Sequence, residues 1–272
     1  MRIAVLADIH GNLAALEAVL EELGRLRPDR LLVLGDVVDG APDSIACWRR
    51  VRELGVPVLR GNHERYVFDF GTERASPEWS MPHFAPVRWA VAQCEGAVCE
   101  ELRALPMSHR YDDAPELLFV HASLRGDQDS IFAHSPDGLI EPMFPGIRES
   151  WIIRGHNHLP GTRSWGDRTI VNLGAVGLPL DGHLAAQFAV LEQGRNGWRA
   201  RHLAVPYDVD ATIRRFRESG YLEAGGPMAR VFLREVATAT HHFVPFLRHY
   251  GHAIREGRID ASTALERFLR EY

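Results

Sequence analysis

Five clusters of acidic and imidazole side chains fall in order along the first 160 residues: Asp8-Ile9-His10, Gly35-Asp36, Gly61-Asn62-His63-Glu64, His121 and Gly155-His156-Asn157-His158. Their carboxylates, imidazoles and one Asn carbonyl make a mixed nitrogen and oxygen donor set. Such a set suits Mn, Fe, Zn, Co or Ni better than Ca or Mg, which prefer all-oxygen cages. There are more donors than one ion needs, which points to a two-metal site and to hydrolysis of a phosphate ester. Two divalent ions about 3.5–4 Å apart bind phosphoryl oxygens and lower the pKa of a bridging water towards neutrality.

Each cluster follows a short apolar run that reads as a strand: residues 3–7, 31–34, 56–59, 117–120 and 151–153. Open α/β sheets place their sites at the carboxyl ends of strands, where these ligands would stand. A helix over 13–26 carries Leu13, Leu16, Leu20 and Leu23 on one stripe, with Asn12 as a plausible N-cap. A second helix covers 43–54, capped by Asp43 or Ser44. The excursion 65–86 is rich in Gly, Pro and aromatics (Tyr66, Phe68, Phe70, Trp79, Phe84), and a helix over 87–105 follows it. Strands over 169–172, 185–191 and 198–204 would complete a second sheet.

After Pro206 the pattern is helical and strand-free, with helices over 208–218, about 228–255 and 262–272, the first and last capped by Asp208 and Ser262. The chain is therefore divided into a domain over 1–206 and a helical appendage over 207–272, whose ~65 residues lie near the lower size limit for folding alone. Met228, Phe232, Val236, Phe243 and Phe246 give its long helix an apolar side. That side is expected to cover the rest of the chain or to build a homodimer, the dimer being preferred.

The composition is that of a globular chain, 46% hydrophobic and 25% charged, and no apolar run is long enough to span a membrane. Met1-Arg2 runs straight into a strand, so no signal peptide and a cytoplasmic location are expected. Cys47, Cys94 and Cys99 read as buried or free thiols. There is no lysine, net charge is −5, and no basic run appears, which disfavours duplex nucleic acid as a partner.

The order of the five clusters resembles the calcineurin-like metallophosphoesterase superfamily, whose pattern is D-x-H, G-D, G-N-H-[DE], H and G-H-x-H; the likeness covers roughly residues 1–205. It implies an α/β fold: a four-layer α/β/β/α sandwich of two mixed sheets with the metals at one edge. One metal would take Asp8, His10 and His158, and the other Asn62, His121 and His156, with Asp36 bridging them. Two divalent transition-metal ions are implied, Mn first among them, with a metal-bridging hydroxide as nucleophile. His63 would bind no metal but face the scissile bond as general acid and phosphate contact.

In the related Ser/Thr protein phosphatases the second block continues G-D-x-x-D-R-G, its second Asp supporting the G-N-H histidine. Asp39 matches that Asp, whereas Gly40 stands where the family Arg would clamp phosphate, which argues against a phosphoprotein substrate. The chain is more similar to compact bacterial and archaeal phosphodiesterases, which often read H-G-S-P-R-D and N-P-G-S-V-G in two later loops. Here these are His121-Ala122-Ser123-Leu124-Arg125-Gly126 and Asn172-Leu173-Gly174-Ala175-Val176-Gly177, with both prolines lost and Ala175 in place of Ser.

The leading expectation is a phosphodiesterase acting on a small or nucleotide-like phosphate ester. The alternatives are a phosphomonoesterase or protein phosphatase, a dinucleoside-polyphosphate hydrolase, a DNA-processing nuclease, and a non-catalytic protein-binding scaffold; scaffolds of this kind typically lose ligands that this chain keeps. Asn12 is a candidate substrate contact and equally a helix cap. Arg125 is a candidate phosphate contact, competing with a solvent-facing role. The aromatics of 66–89 could stack a nucleobase, or simply pin a long loop by packing together.

Overall fold

In the computed structural model, which describes residues 1–94 and 96–271, nine strands are found. They are β1 (Arg2–Leu6), β2 (Arg30–Val33), β3 (Ser108–Tyr111), β4 (Ala114–Val120), β5 (Trp151–Arg154), β6 (Gly161–Trp165), β7 (Arg168–Asn172), β8 (Ala186–Gly194) and β9 (Gly197–Val205). Ahead of the C-terminal region come the helices α1 (Leu13–Leu26), α2 (Ser44–Glu53), α3 (Asn62–Asp69), α4 (Ala85–Gln93), α5 (Gly96–Arg103) and α6 (Asp137–Ile140). After β9 follow α7 (Val209–Glu218), α8 (Tyr221–Ala224), α9 (Gly226–Thr238), α10 (Phe243–Arg255) and α11 (Ala261–Glu271).

The strands form two mixed sheets, in the orders β2-β1-β8-β9 and β3-β4-β5-β7-β6. The period-2 alternation of β1 shows how they stack. Ile3 and Val5 meet Leu117, Phe119, Ile153 and Val171 of the second sheet, while Ala4 and Leu6 turn outward onto Leu16, Val19, Trp48 and Val51 of α1 and α2. Each large apolar side chain buried this way contributes about 1.5–3 kcal/mol. The outer face of the second sheet is covered more thinly, by Ile131, Ile140, Met143 and Phe144 from the segment around α6. The result is the expected four-layer α/β/β/α sandwich, with strand ends gathered at one edge.

Three expected elements differ. Residues 56–59 form only a single parallel bridge, Val33 to Val58, because Pro57 has no N–H to extend a ladder. The helix expected over 87–105 is two helices, parted after Cys94, which adopts extended backbone (residue 95 lies outside the described residues). The helix expected over 228–255 breaks at Ala239, whose φ of 51° reverses the chain. Glu235 then caps the next helix, accepting hydrogen bonds from the backbone N–H groups of His242 and Phe243, both 2.7 Å.

That reversal lets α10 and α11 fold back on α9, burying Met228, Val231, Phe246, Leu265 and Phe268 together. Phe232 and Val236 join Phe216 and Tyr221 against Ala41 and Leu178, which belong to loops of the sandwich. The expected stripe is thus packed inside the chain. Asp208 caps α7 as expected, whereas Asp260 rather than Ser262 caps α11 (2.9 Å to Thr263 N). No helix is long and apolar enough to cross a membrane among the described residues.

Candidate metal centre

Asp8 and His10 follow β1, Asp36 follows β2, Asn62 and His63 open α3, His121 follows β4, and His156 and His158 follow β5. The loops carrying them are tightly bent. Among the described residues eight non-glycine positions have positive φ, and six of them are Asp8, His10, Asp36, Asp39, His156 and His158. Such backbone costs about 1–3 kcal/mol per residue and clusters at functional sites. Glu64 locks two loops together, its carboxylate accepting from the N–H groups of Asp36 (2.8 Å), Val37 (2.7 Å) and Gly61 (2.8 Å). Gly61 has no substitute, since a Cβ there would lie 2.1 Å from Asp36 Oδ1.

The donor atoms converge. Asp8, His10, Asp36 and His158 each bring one within 4.8 Å of the others, and Asp36, His121 and His156 form a second group, so Asp36 is common to both. Asn62 Oδ1 belongs with the second group, 3.1 Å from His121 Nε2 and 2.9 Å from His156 Nδ1.

Backbone carbonyls set the histidine tautomers. The Nδ1–H groups of His10, His121 and His158 donate to Asp39 O (2.8 Å), Leu34 O (2.8 Å) and Leu178 O (2.7 Å), which leaves each Nε2 lone pair aimed at the cluster. His156 is reversed: its Nε2 meets Gln128 O at 3.1 Å and Nδ1 faces inward.

This arrangement provides a test of fit. His10 Nε2 and His158 Nε2 lie 3.1 Å apart with both Nδ1 protons already committed. Two facing lone pairs repel unless a cation or an added proton lies between them. Asn62 Oδ1 faces His156 Nδ1 in the same way at 2.9 Å, whereas at His121, which burial would lower but Asp36 raises to about 9, an added proton does the cation's work. A buried set of converging acceptors is the electronic complement of divalent cations, so the residues fit the implied metals.

The charges tell the same story. Burial raises Asp8 to about 7, despite the pull of His121. Burial also pushes Asp36 upward, but His121 and His63 outweigh it and hold Asp36 well below the usual carboxylate range. Burial lowers His158 to about 4 and drives His10 and His156 well below the ordinary imidazole value.

His63 stands apart from the donor atoms. Its Nδ1 is 2.7 Å from Asp39 Oδ2, and its ring packs edge-on against His10 with centroids 4.6 Å apart. Burial would lower its pKa, but Asp36 and Asp39 raise it to about 9. Asp39 in turn is fixed through its N–H to Ser44 Oγ (2.9 Å). Gly40 has φ 112° and a Cβ there would sit 3.0 Å from His10 Cβ, so an arginine at this position would be strained in its backbone and crowded against His10.

Asn12 is buried and fully engaged: it caps α1 through Ala15 N (3.2 Å), donates to Gly177 O (2.9 Å), and accepts from Thr212 Oγ1 (2.9 Å). Arg125 is about half exposed and paired with Asp129. The aromatics of the 65–86 excursion mostly touch one another, Trp79 and Phe84 stacking at 5.9 Å.

Two structural residues had no role in the sequence reading. Glu64 could have been found from its place at the third position of α3, where a Glu side chain reaches back to the N–H of the residue before the helix. Arg154 gave no signal, since an arginine at a strand end reads as surface. It is wholly buried, donating to Ala122 O (2.8 Å) and Asn172 Oδ1 (2.8 Å), and burial lowers its pKa to about 10.

A buried carboxylate and imidazole cluster at the carboxyl edge of a two-sheet sandwich defines a metal-dependent phosphoester hydrolase. The chain belongs to the calcineurin-like phosphoesterase family, whose model matches residues 1–160. It is 24% identical over 233 residues to an uncharacterized protein of Methanocaldococcus jannaschii, covering 76% of this chain and 88% of that protein. A symmetrical bis(5'-nucleosyl)-tetraphosphatase of Chromohalobacter salexigens is 34% identical over 122 residues, 44% of this chain and 43% of that enzyme, so the match spans less than half of it. A crystal structure of a metallophosphoesterase from Sphaerobacter thermophilus superposes with a TM-score of 0.69 at 26% identity, covering 88% of this chain and 100% of that one.

Proposed function

We propose that the chain is a phosphodiesterase that acts on a small or nucleotide-like phosphate ester with two divalent metal ions. Asp8, His10 and His158 would hold one ion and Asn62, His121 and His156 the other, with Asp36 shared. Bound there, the ions would neutralise phosphoryl charge and acidify a water. His63, oriented by Asp39, supplies a proton from Nε2 to the leaving oxygen as the P–O bond breaks and water adds to phosphorus.

The observation that carries the diester reading is that, among the described residues, the arginines nearest the cluster are each paired or buried. Arg65 is neutralised by Asp127 (2.6 Å), Arg125 by Asp129, and Arg154 is buried behind the site. Gly40 offers no side chain at all. A dianionic monoester needs more neutralisation than a monoanionic diester. Arg125 remains a candidate substrate contact that would have to leave Asp129, and Asn12 one that would have to surrender a protein partner.

The test compares kcat/KM for bis-p-nitrophenyl phosphate and p-nitrophenyl phosphate at matched pH and Mn(II). A diester preference is expected. A monoester preference of tenfold or more, about 1.4 kcal/mol in transition-state binding, would defeat the reading. The partial likeness to a bis(5'-nucleosyl)-tetraphosphatase favours a second reading, polyphosphate-anhydride cleavage, for which a dinucleoside tetraphosphate is the discriminating substrate.

We treat 1–206 as the catalytic domain and 207–272 as an appendage that braces it. The brace includes Tyr221 Oη, 3.0 Å from Gly40 O, and Arg215 paired with Asp43. Because Met228, Phe232, Val236 and Phe246 are buried within the chain, we attribute that stripe to intramolecular packing and not to a dimer seam.

A further inference from the structure

Tyr66 lies one turn along α3 from two residues of the centre. It stands four positions after Asn62 and three after His63, the spacings that stack side chains on one helix face. Its ring meets His63 with centroids 5.2 Å apart. On its other sides it is held by Trp79 (5.2 Å), Phe84 (5.5 Å) and the guanidinium of Arg65 (5.1 Å). Few rotamers are open to a ring so confined.

The phenol oxygen accepts a hydrogen bond from Gln128 Nε2. Gln128 is also the residue whose carbonyl holds His156, so it ties the Tyr66 hydroxyl to the loop that carries His156. With the Gln128 amide donating to the oxygen, the hydroxyl proton points elsewhere. Tyr66 is only half-buried, and no acceptor for that proton is found among the described residues. The neighbouring His63 ring has its Nδ1 already taken by Asp39.

We propose that the Tyr66 hydroxyl donates a hydrogen bond to a non-bridging phosphoryl oxygen of the substrate, next to His63, which makes it a catalytic residue. A neutral donor at this place does part of what the absent arginine at position 40 would do, without adding a cation. The proposal rests on the phosphoesterase reading of the site, not on the preference for diesters.

Tyr66→Phe keeps the ring contacts and removes only the donor. In the fully Mn-loaded enzyme, kcat/KM for bis-p-nitrophenyl phosphate is expected to fall by about 10–100-fold, somewhat less than the usual loss for a preorganised oxyanion donor. Metal content by elemental analysis should match the wild type. The competitive inhibition constant of inorganic phosphate should rise about tenfold, the scale of one lost hydrogen bond to a charged group. Wild-type kinetics and an unchanged phosphate constant would overturn the proposal. So would a defect that disappears once added Mn(II) restores metal content, because Tyr66 would then serve only to orient Asn62. If the wild type prefers the monoester, the diesterase reading fails, but the same comparison on p-nitrophenyl phosphate still reads Tyr66.

Discussion

At the residue scale, the site shows what a turn at a strand end can do with one or two side chains. Asp8, Asp36 and His156 each leave their strand in left-handed backbone, which turns the next residues back over the sheet edge. The converging donors were legible for this reason: a polar residue directly after an apolar run has few places to go. Their tautomers were not, because Leu34 O and Leu178 O are contributed by residues distant in sequence. His63→Ala should separate catalysis from metal binding. Its side chain contributes no atom to the converging donor groups, so metal content should hold while kcat falls by ~10²–10⁴-fold, the scale of a lost general acid. Measured on a series of diesters, the loss should shrink as the leaving group becomes more acidic; an equal loss for p-nitrophenolate and alkoxide leaving groups would remove the acid role.

At the element scale, the sequence pattern found β1, α1 and β9 to within a residue at each end, and β8 except for its last three residues. It failed where tertiary contacts override local pattern. β3 and β6 are half-exposed edge strands with little apolar signal, and α3 was hidden because its first turn is made of site residues. The break between α9 and α10 was hidden by an apolar spacing that continues through it, and only the buried Glu235 betrays the reversal. Burial raises Glu235 to about 7 from an ordinary 4.5, against the two backbone N–H groups that favour its charge. The folded chain therefore keeps a proton that the unfolded chain loses between those values. The stability this gives is full below about pH 4.5 and lost as pH rises through 7, on the order of 3 kcal/mol at most. Glu235→Gln keeps an acceptor and no charge, so it should be more stable than wild type at pH 8 and close to it at pH 4.5–5. Denaturant unfolding at both pH values decides the matter, and an identical difference at each would show that Glu235 does not titrate in this range.

At the scale of the whole molecule, the centre and the C-terminal helices share one set of loops. Tyr221 is wholly buried against the Asp39-Gly40 turn, Trp89 Nε1 holds Pro42 O at 3.1 Å, and Leu178, whose carbonyl fixes His158, sits in the same apolar cluster as Phe232 and Val236. Repulsion among the facing lone pairs of the centre should therefore be felt beyond it, as strain on the seam that joins the two parts of the chain. Cations that relieve it bind the folded chain in preference to the unfolded one, and each site at a hundredfold excess over its Kd adds about 2.7 kcal/mol. For a chain of this size one kcal/mol corresponds to about 2–4 °C, so saturating Mn(II) should raise Tm above that of chelator-stripped protein by at least ~5 °C. Limited proteolysis followed in parallel should show the segment from α7 to α11 cut more slowly in the loaded protein, although none of its residues is a ligand. An unchanged Tm together with an unchanged cleavage rate would mean that the centre is already relaxed without metal, and that the helices brace the sandwich independently of it.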